Sequence, residues 1–171
     1  MHVRPAAPAD AAAIASIYNA ASAATPAANL VTWQESVEDR AEWLEQMEKD
    51  SYPVFVAVED DEIIGWAAYF QFVTPAIYYG TVENSVYVAP SARGKGVGNE
   101  LMCAVVDDAK DNDYVQTMIT YIVDTNEASI GLHKKFHFEE TGRMPNIHTK
   151  DGVRLGLVHL QRHFDRSSSS M

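Results

Sequence analysis

The chain has 171 residues, a formal net charge of −11, 47% hydrophobic residues and one cysteine, Cys103. This length suits one domain with a single core, and the acidic balance argues against a nucleic-acid partner, which requires a clustered basic face. The apolar runs are shorter than the roughly 18 residues of a membrane helix, and neither a signal-peptide pattern nor a disulfide pair is present, so we expect a cytoplasmic protein without a membrane partner.

The first 80 residues predict a strand, two helices and a hairpin. Residues 2–6 are short and extended, and Ile14, Ile17, Tyr18 and Ala21 then share one face of an amphipathic helix. A loop is expected over residues 25–32 and a second helix over residues 34–49, with Val37, Ala41, Leu44 and Met47 on its apolar face. Two apolar runs around the acidic residues 59–62 predict a β-hairpin.

Residues 81–101 combine a strand, a glycine-rich turn and the start of a helix. β-Branched and aromatic residues favour a strand that ends near Ala89, because Pro90 cannot donate to a central ladder. Gly94, Gly96 and Gly98 follow, and apolar residues then recur at helical spacing. The free N–H groups and the dipole of such a helix start favour an anion, most often a phosphate.

The spacing of the glycines separates three phosphate-binding motifs. A Walker loop requires Gly at the position of Ala89 and Ser or Thr at that of Gly96, and neither is present. A dinucleotide fingerprint requires Gly at the position of Asn99 or Leu101. The pattern that remains is [Q/R]-x-x-G-x-[G/A] at 93–98, and a glycine loop that only turns the chain is its alternative.

The second half of the chain predicts one more strand, a short helix and two closing strands. The helix after the glycine loop should end near the turn-forming residues 111–113, and residues 114–123 favour a strand. Asn126 offers a helix cap before residues 128–136. Strands are expected over 137–144 and 153–160, and the Ser-rich residues 166–171 predict a flexible tail.

The pattern at 93–98 is similar to the coenzyme A pyrophosphate loop of the GNAT superfamily of N-acetyltransferases. The preceding Thr81-Val82-Glu83-x-Ser85-Val86-Tyr87-Val88 resembles the branch that contains phosphinothricin and methionine sulfoximine acetyltransferases, and the resemblance extends from 3–5 to 144–145. It implies an α+β GNAT acyl-CoA N-acyltransferase fold, with a mixed, mostly antiparallel sheet flanked by helices and splayed at the central strand. Residues 1–165 would form a single domain.

The resemblance also implies an activity. We expect an acetyl-CoA-dependent N-acetyltransferase that acts on the primary amine of a small, amino-acid-like acceptor of the phosphinothricin or methionine sulfoximine type, and that forms a homodimer. Two alternatives remain. One is a GNAT domain that binds coenzyme A without turnover, and the other is an N-acetyltransferase of proteins or peptides.

The resemblance assigns roles to individual residues. Glu83 is the expected base, and His133 either donates a proton to the departing thiolate or contacts the cofactor. Backbone groups at the end of the central strand would pair with the pantetheine arm and face the thioester carbonyl, and the glycine loop would hold the pyrophosphate. The expected cofactor-binding residues are Val86, Tyr87, Val88, Arg93, Gly94, Lys95, Gly96, Val97, Gly98, Asn99, Asn126 and His133.

Two departures from expected patterns concern a metal and the acceptor. His133 and His137 have zinc-site spacing, but Lys134 replaces the Glu of that motif, so no metal is expected. The branch also has Gly at the position of His137. Residues 73–80 lack the Arg and Lys that the resembling enzymes use for an acidic acceptor, and Arg154 either supplies that charge or lies on the surface.

Overall fold

The element order expected from the sequence is confirmed in the computed structural model, which describes residues 1–73 and 77–165. The tail predicted at 166–171 lies outside the described residues. Short 3₁₀ turns occupy Pro8–Asp10, Pro26–Ala28 and Pro90–Ala92. The elements are β1 (His2–Pro5), α1 (Ala11–Ala24), α2 (Val37–Lys49), β2 (Val54–Glu59), β3 (Glu62–Gln71), β4 (Thr81–Val88), α3 (Val97–Asp111), β5 (Thr117–Val123), α4 (Glu127–Lys135), β6 (Glu139–Lys150) and β7 (Val153–His163).

The seven strands form one mixed sheet in the order β1-β2-β3-β4-β5-β7-β6. Every neighbouring pair is antiparallel except β4 and β5, which are parallel. The parallel ladder joins only Thr81–Glu83 to Thr117–Ile119. Beyond Glu83, β4 pairs only with β3, and β5 pairs only with β7. The predicted splay at the central strand is therefore present, and it begins after Glu83.

Hydrophobic side chains bury the two faces of the sheet in separate clusters. One cluster is formed around α3, where Leu101, Met102 and Val105 are fully buried. The other is formed by α1 and α2 against β2 and β3, and it includes the predicted face of α1. On α2, Leu44 and Met47 are buried as predicted, but Val37 is 46% exposed because it begins the helix.

Several helix and strand boundaries differ from those predicted, and at two of them a polar side chain forms a cap or a turn. The second helix begins at Val37 and not at residue 34, because Ser36 caps it: the Ser36 hydroxyl accepts from the Asp39 N–H at 3.0 Å. The strand predicted from residue 114 begins at Thr117, since Asn112 accepts from the N–H of Tyr114 and holds a turn there. β6 runs to Lys150, well past the predicted end at 144. In the described ranges no helix is both long and apolar enough to cross a membrane.

Candidate active site

A cleft of about 830 Å³ opens where β4 and β5 diverge. Its walls are β4, the glycine loop with the start of α3, the middle of β5, and α4 with the residue before it. Lys95 lies in the loop but not in the lining. The predicted site residues that line the cleft together are Glu83, Val86, Tyr87, Val88, Arg93, Gly94, Gly96, Val97, Gly98, Asn99, Asn126 and His133.

The backbone of β4 supplies hydrogen-bonding groups to this cleft. The Ala89 N–H donates to the Ile64 oxygen at 2.9 Å, in the same register as the β3–β4 ladder. Because hydrogen-bonded and non-bonded pairs alternate along an antiparallel ladder, Val86 and Val88 direct their N–H and C=O groups away from β3. No strand receives them, since β5 has already diverged. The predicted pairing with an extended ligand therefore has free partners on the protein side.

The glycine loop has the backbone that its sequence required. Gly94 and Gly96 have φ of 76° and 85°, in the left-handed region that side chains disfavour. A Cβ atom at either position would meet nothing within 4 Å, so the space over the loop is open. Gly96 caps α3 without a side-chain acceptor for the first N–H groups. An anion at this helix start would accept hydrogen bonds from those N–H groups. The exposed Arg93 lies beside the helix start.

Glu83 is the last residue of β4 that pairs with β5, so its carboxylate lies where the cleft begins. Burial raises the pKa of this carboxyl group. Within residues 1–73 and 77–165 the Glu83 side chain has no hydrogen-bond or ion-pair partner. On β5, Tyr121 interacts electrostatically with Glu83: burial raises the pKa of Tyr121, and the charge of Glu83 raises it further. A poorly hydrated carboxylate without a structural partner is typical of a functional group.

His133 lies on α4 and is only 1% exposed. Its Nδ1 is 2.8 Å from the Ser129 carbonyl oxygen, so the Nδ1–H donates to that oxygen. Its Nε2 is 3.2 Å from the Asn84 side-chain nitrogen, which therefore donates to it. Burial lowers the pKa of His133 to about 4, against the smaller opposing effect of the Ser129 hydrogen bond. The imidazole is neutral at pH 7, and the roles predicted for it stay predictions.

Asn126 and His137 occupy the two ends of α4. The Asn126 side chain accepts from the Ser129 N–H at 3.1 Å, so it caps the helix while it also lines the cleft. His137 follows the helix with φ of 62°, the conformation that a glycine would adopt without strain. It is exposed, whereas His133 is buried. Across the described ranges, no group of three or more His, Cys, Asp or Glu residues is placed to hold a metal.

Asn84, Thr120 and Tyr121 are among the lining residues that the sequence analysis missed. Asn84 and Thr120 are buried, at 2% and 4% exposure, and the Thr120 hydroxyl donates to the Asn84 backbone oxygen at 3.5 Å. The signal for Asn84 was available, because a period of two places it on the buried face between Val82 and Val86. Tyr121 offered no such signal, since strands often expose a tyrosine.

In the cluster formed by α1 and α2 against β2 and β3, aromatic rings surround a buried cation. Arg40 is 4% exposed, forms an ion pair with Glu35, and lies 4.4 Å from the ring centroid of Trp43 and 5.0 Å from that of Trp66. Arg154 is bonded within the β6–β7 hairpin, where it donates to the Thr149 hydroxyl at 3.2 Å. Its predicted role stays a prediction. In the stretch 73–80, residues 74–76 lie outside the described part.

Comparisons with known proteins agree with this geometry. The family model described as "Acetyltransferase (GNAT) family" matches residues 14–138. The chain is 36% identical over 172 residues to an L-methionine sulfoximine/L-methionine sulfone acetyltransferase of Pseudomonas aeruginosa, covering 98% of this chain and 97% of the relative. It is also 36% identical over 168 residues to the L-amino acid N-acyltransferase MnaT of Escherichia coli, covering 96% and 95%.

Solved structures show the same fold. A GNAT superfamily phosphinothricin acetyltransferase from Sinorhizobium meliloti, in complex with acetyl-CoA, superposes with a TM-score of 0.91 at 28% identity and covers 99% of this chain and 91% of its own. The cleft at the splay, the glycine loop that opens α3 and these similarities lead to one conclusion. The chain belongs to the GNAT family of acetyltransferases.

Proposed function

We propose that this chain transfers an acetyl group from acetyl-CoA to the primary amine of a small, amino-acid-like molecule. One observation carries the proposal: the splay of β4 from β5 brings the glycine loop, the unpaired backbone groups of β4 and the carboxylate of Glu83 into one cleft. The acceptor class is supported by the names of the relatives, which act on methionine sulfoximine, methionine sulfone or L-amino acids.

Glu83 is the base in this proposal. An α-amino group is largely protonated at neutral pH and must lose a proton before it can attack a thioester. A base works best when its pKa approaches the working pH, and burial moves the pKa of Glu83 in that direction. The absence of a structural partner for this carboxylate among the described residues supports an enzyme over a domain that only binds coenzyme A, which needs no base.

The backbone of β4 supports the acyl transfer itself. Acetyl-CoA supplies the activated acyl group, and the oxygen of its thioester gains negative charge during the attack. Val86 directs an N–H into the cleft three residues beyond Glu83, and a fixed donor of this kind stabilises such charge. The orphan N–H groups at Gly96 and at the start of α3 suit the pyrophosphate. The protein therefore offers both ends of the cofactor a backbone donor.

The contacts of His133 support a cofactor-side role more than proton donation. Its only ring proton at neutral pH is on Nδ1 and is already donated to Ser129. Its Nε2 accepts from Asn84 and has no proton to give to a thiolate. We therefore assign His133 to the wall of the cofactor cleft.

We also propose a homodimer in the cytoplasm, as the resemblance implies. The support for the dimer is β6, an edge strand of which every residue from Glu139 to Ile147 is exposed. A long exposed edge is normally covered by another chain or blocked by charge. Met144 and Ile147 on this strand, 39% and 49% exposed, give it apolar surface to bury.

An amine screen tests the proposed activity. The purified protein is incubated with acetyl-CoA and free amino acids, methionine sulfone, methionine sulfoximine, phosphinothricin or short peptides, and release of the thiol is followed. The expected result is turnover with one or more small amino acids and little with peptides. Tight binding of acetyl-CoA without turnover of any amine would instead identify a binding domain, and turnover of peptides alone would identify a peptide acetyltransferase.

A further inference from the structure

A buried side-chain contact joins two walls of the cleft. Asn84 extends from β4 towards α4, and its side-chain nitrogen is 3.2 Å from Nε2 of His133. The two side chains are 2% and 1% exposed. At this level β4 and β5 no longer pair, so no backbone ladder fixes the distance between the walls. We call this contact the Asn84–His133 bridge.

The direction of the hydrogen bond in the bridge follows from its surroundings. The Ser129 oxygen is an acceptor and lies 2.8 Å from Nδ1, which must therefore carry the proton of a neutral imidazole. Nε2 is then an acceptor and requires the NH₂ group of Asn84. The sulfur of Met102 is also an acceptor, 3.6 Å from the same nitrogen. Nε2 of His133 and the sulfur of Met102 therefore both require the NH₂ group of the Asn84 amide on their side.

This orientation has a cost to stability. It leaves the side-chain oxygen of Asn84 buried, and the described residues offer it no hydrogen-bond donor. An unsatisfied buried acceptor destabilises a fold, whereas apolar replacement of both partners of a buried polar pair is often neutral or stabilising. A bridge that carries this cost, at the wall of the cleft, indicates that it serves the positions of its two side chains more than the stability of the fold.

We infer that Asn84 is a positioning residue: through the bridge it holds His133 as a neutral spacer and so fixes the separation of β4 and α4. Val86 follows Asn84 by two residues on β4, and Ser129 and Asn126 lie on the α4 side. The bridge therefore sets the backbone donor of Val86 relative to the opposite wall. This inference rests on the proposed acetyl transfer and adds a role that needs no proton exchange at His133.

Two variants test the inference by separating activity from stability. Asn84→Leu removes the bridge, and Asn84→Leu/His133→Leu replaces both partners with apolar side chains. In each, kcat should fall roughly 10- to 100-fold, because small displacements of reacting groups have effects of this size. The melting temperature of the double variant should equal or exceed that of the wild type. A double variant with near-wild-type kcat would overturn the inference, as would one that loses stability and activity in parallel.

Asn112→Leu is the matched control. Asn112 donates to the Tyr69 hydroxyl at 3.1 Å and caps a turn away from the cleft, so its loss should lower the melting temperature and leave kcat unchanged. If Asn84→Leu does not fold, a measurement on the wild-type protein still tests the bridge.

Nitrogen NMR of His133 in the wild-type protein at pH 7 should show the Nδ1–H tautomer with and without acetyl-CoA. An Nε2–H tautomer or an imidazolium would contradict the bridge.

A failure of the bridge to position the cleft walls can be distinguished from a failure of the proposed acetyl transfer. If the wild type binds acetyl-CoA but acetylates no amine, the proposed activity fails, and the bridge is then judged by acetyl-CoA affinity. Asn84→Leu should weaken that affinity several-fold in calorimetry, whereas its affinity for adenosine 3′,5′-bisphosphate, which lacks the pantetheine arm, should not change. Equal losses for both ligands, or no loss for either, would overturn the inference.

Discussion

Glu83 and Asn84 are adjacent in β4, and their side chains lie on opposite faces of the sheet. The side chain of Glu83 faces the side of Tyr121, and that of Asn84 faces His133. Burial shifts both titratable groups towards their neutral forms, since it raises the pKa of Glu83 and lowers that of His133. In the proposed mechanism, the same physical cause prepares a base on one face and a neutral spacer on the other.

The first prediction concerns Glu83 as the base. Glu83→Gln keeps the shape of the side chain but removes its basicity, so turnover near neutral pH should fall roughly 10²- to 10⁴-fold. The loss should diminish at higher pH, where more of the amine is neutral in solution. The acid limb of the wild-type profile should lie above the usual titration range of a glutamate, because burial raises the pKa. Initial rates against pH for both proteins provide the measurement.

Glu62→Gln is the control for this experiment, since Glu62 is exposed at the start of β3 and does not line the cleft. Its rates should match those of the wild type at every pH. Near-wild-type turnover of Glu83→Gln at pH 7 would refute the assignment of the base.

The second prediction concerns the stability that is lost in acid because of His133. The pKa of His133 is about 4 in the native state and 6.5 for the unperturbed group, so between these values the unfolded chain binds the proton and the native chain does not. The free energy of unfolding should therefore decrease as pH falls from 6.5 to 4, by about 3 kcal/mol in all. Urea unfolding at pH 7, 5.5 and 4.5 measures it. An equal slope in His133→Gln would assign the loss to other groups.

At the level of elements, the glycine loop and α3 form one structural unit. Gly96 is both the left-handed residue that turns the chain and the N-cap of the helix. The neighbouring Gly98 has a different reason to be small, since a Cβ there would lie 3.1 Å from the Leu132 side chain on α4. The loop thus depends on Gly94 and Gly96 for its backbone and on Gly98 for its packing.

The third prediction is that Gly96→Val weakens acetyl-CoA binding at least about 10-fold, because a β-branched side chain is strained at positive φ and obstructs the approach of a phosphate. Gly152→Val is a matched control: φ is 78°, and its Cβ would also meet nothing within 4 Å, but it lies in the β6–β7 turn. Both variants should lose stability, and only Gly96→Val should lose affinity in calorimetry. Equal affinities for the two would separate the loop from the cofactor.

The fourth prediction concerns the connection between α1 and α2. Lys150, at the end of β6, is 5% exposed, and its Nζ donates to the Ser22 oxygen at 3.2 Å and to the Asn29 oxygen at 3.2 Å. It thereby caps the C-terminus of α1, whose last turn has no basic residue of its own. Thr25 and Ala28 in this connection line the cleft.

Lys150→Met should therefore loosen the connection and raise the KM for the amine several-fold, while the affinity for acetyl-CoA is retained. Steady-state kinetics and calorimetry measure the two quantities. Lys110→Met is the control, because Lys110 pairs with Asp107 on the exposed face of α3 and should leave both unchanged. A Lys150→Met protein with a normal KM would show that the connection is held by its remaining contacts.

At the scale of the whole molecule, the helices pack on one open, seven-stranded sheet whose edge strands are β1 and β6. The sheet splays in its middle, between β4 and β5. A single domain over residues 1–165 agrees with this but stays a prediction. The order of strands and helices was predictable because periodicity and turn residues are local signals. The glycine loop and Glu83 were predictable because a short motif carries them. The contacts that Asn84, Lys150 and Tyr121 make were not predictable, since they join residues that lie tens of positions apart in the chain.

The fifth prediction concerns the assembly. If a second copy covers β6, Ile147→Lys should shift the mass in light scattering from two chains towards one, because it places a charge in the apolar contact. Val37→Lys changes a residue of similar exposure, 46% against 49%, on α2 and should leave the mass unchanged. A wild-type protein with the mass of one chain over a wide concentration range would refute the dimer.

The splay also bears on how the enzyme responds to its product. In the proposed binding mode, the glycine loop holds the pyrophosphate and β4 pairs with the pantetheine arm. Neither part of the cofactor changes when the acetyl group is transferred. Such uniform binding stabilises substrate and product alike. We therefore expect free coenzyme A to compete with acetyl-CoA at nearly equal strength, so that the rate of acetylation follows the ratio of the two in the cell more closely than the amount of either.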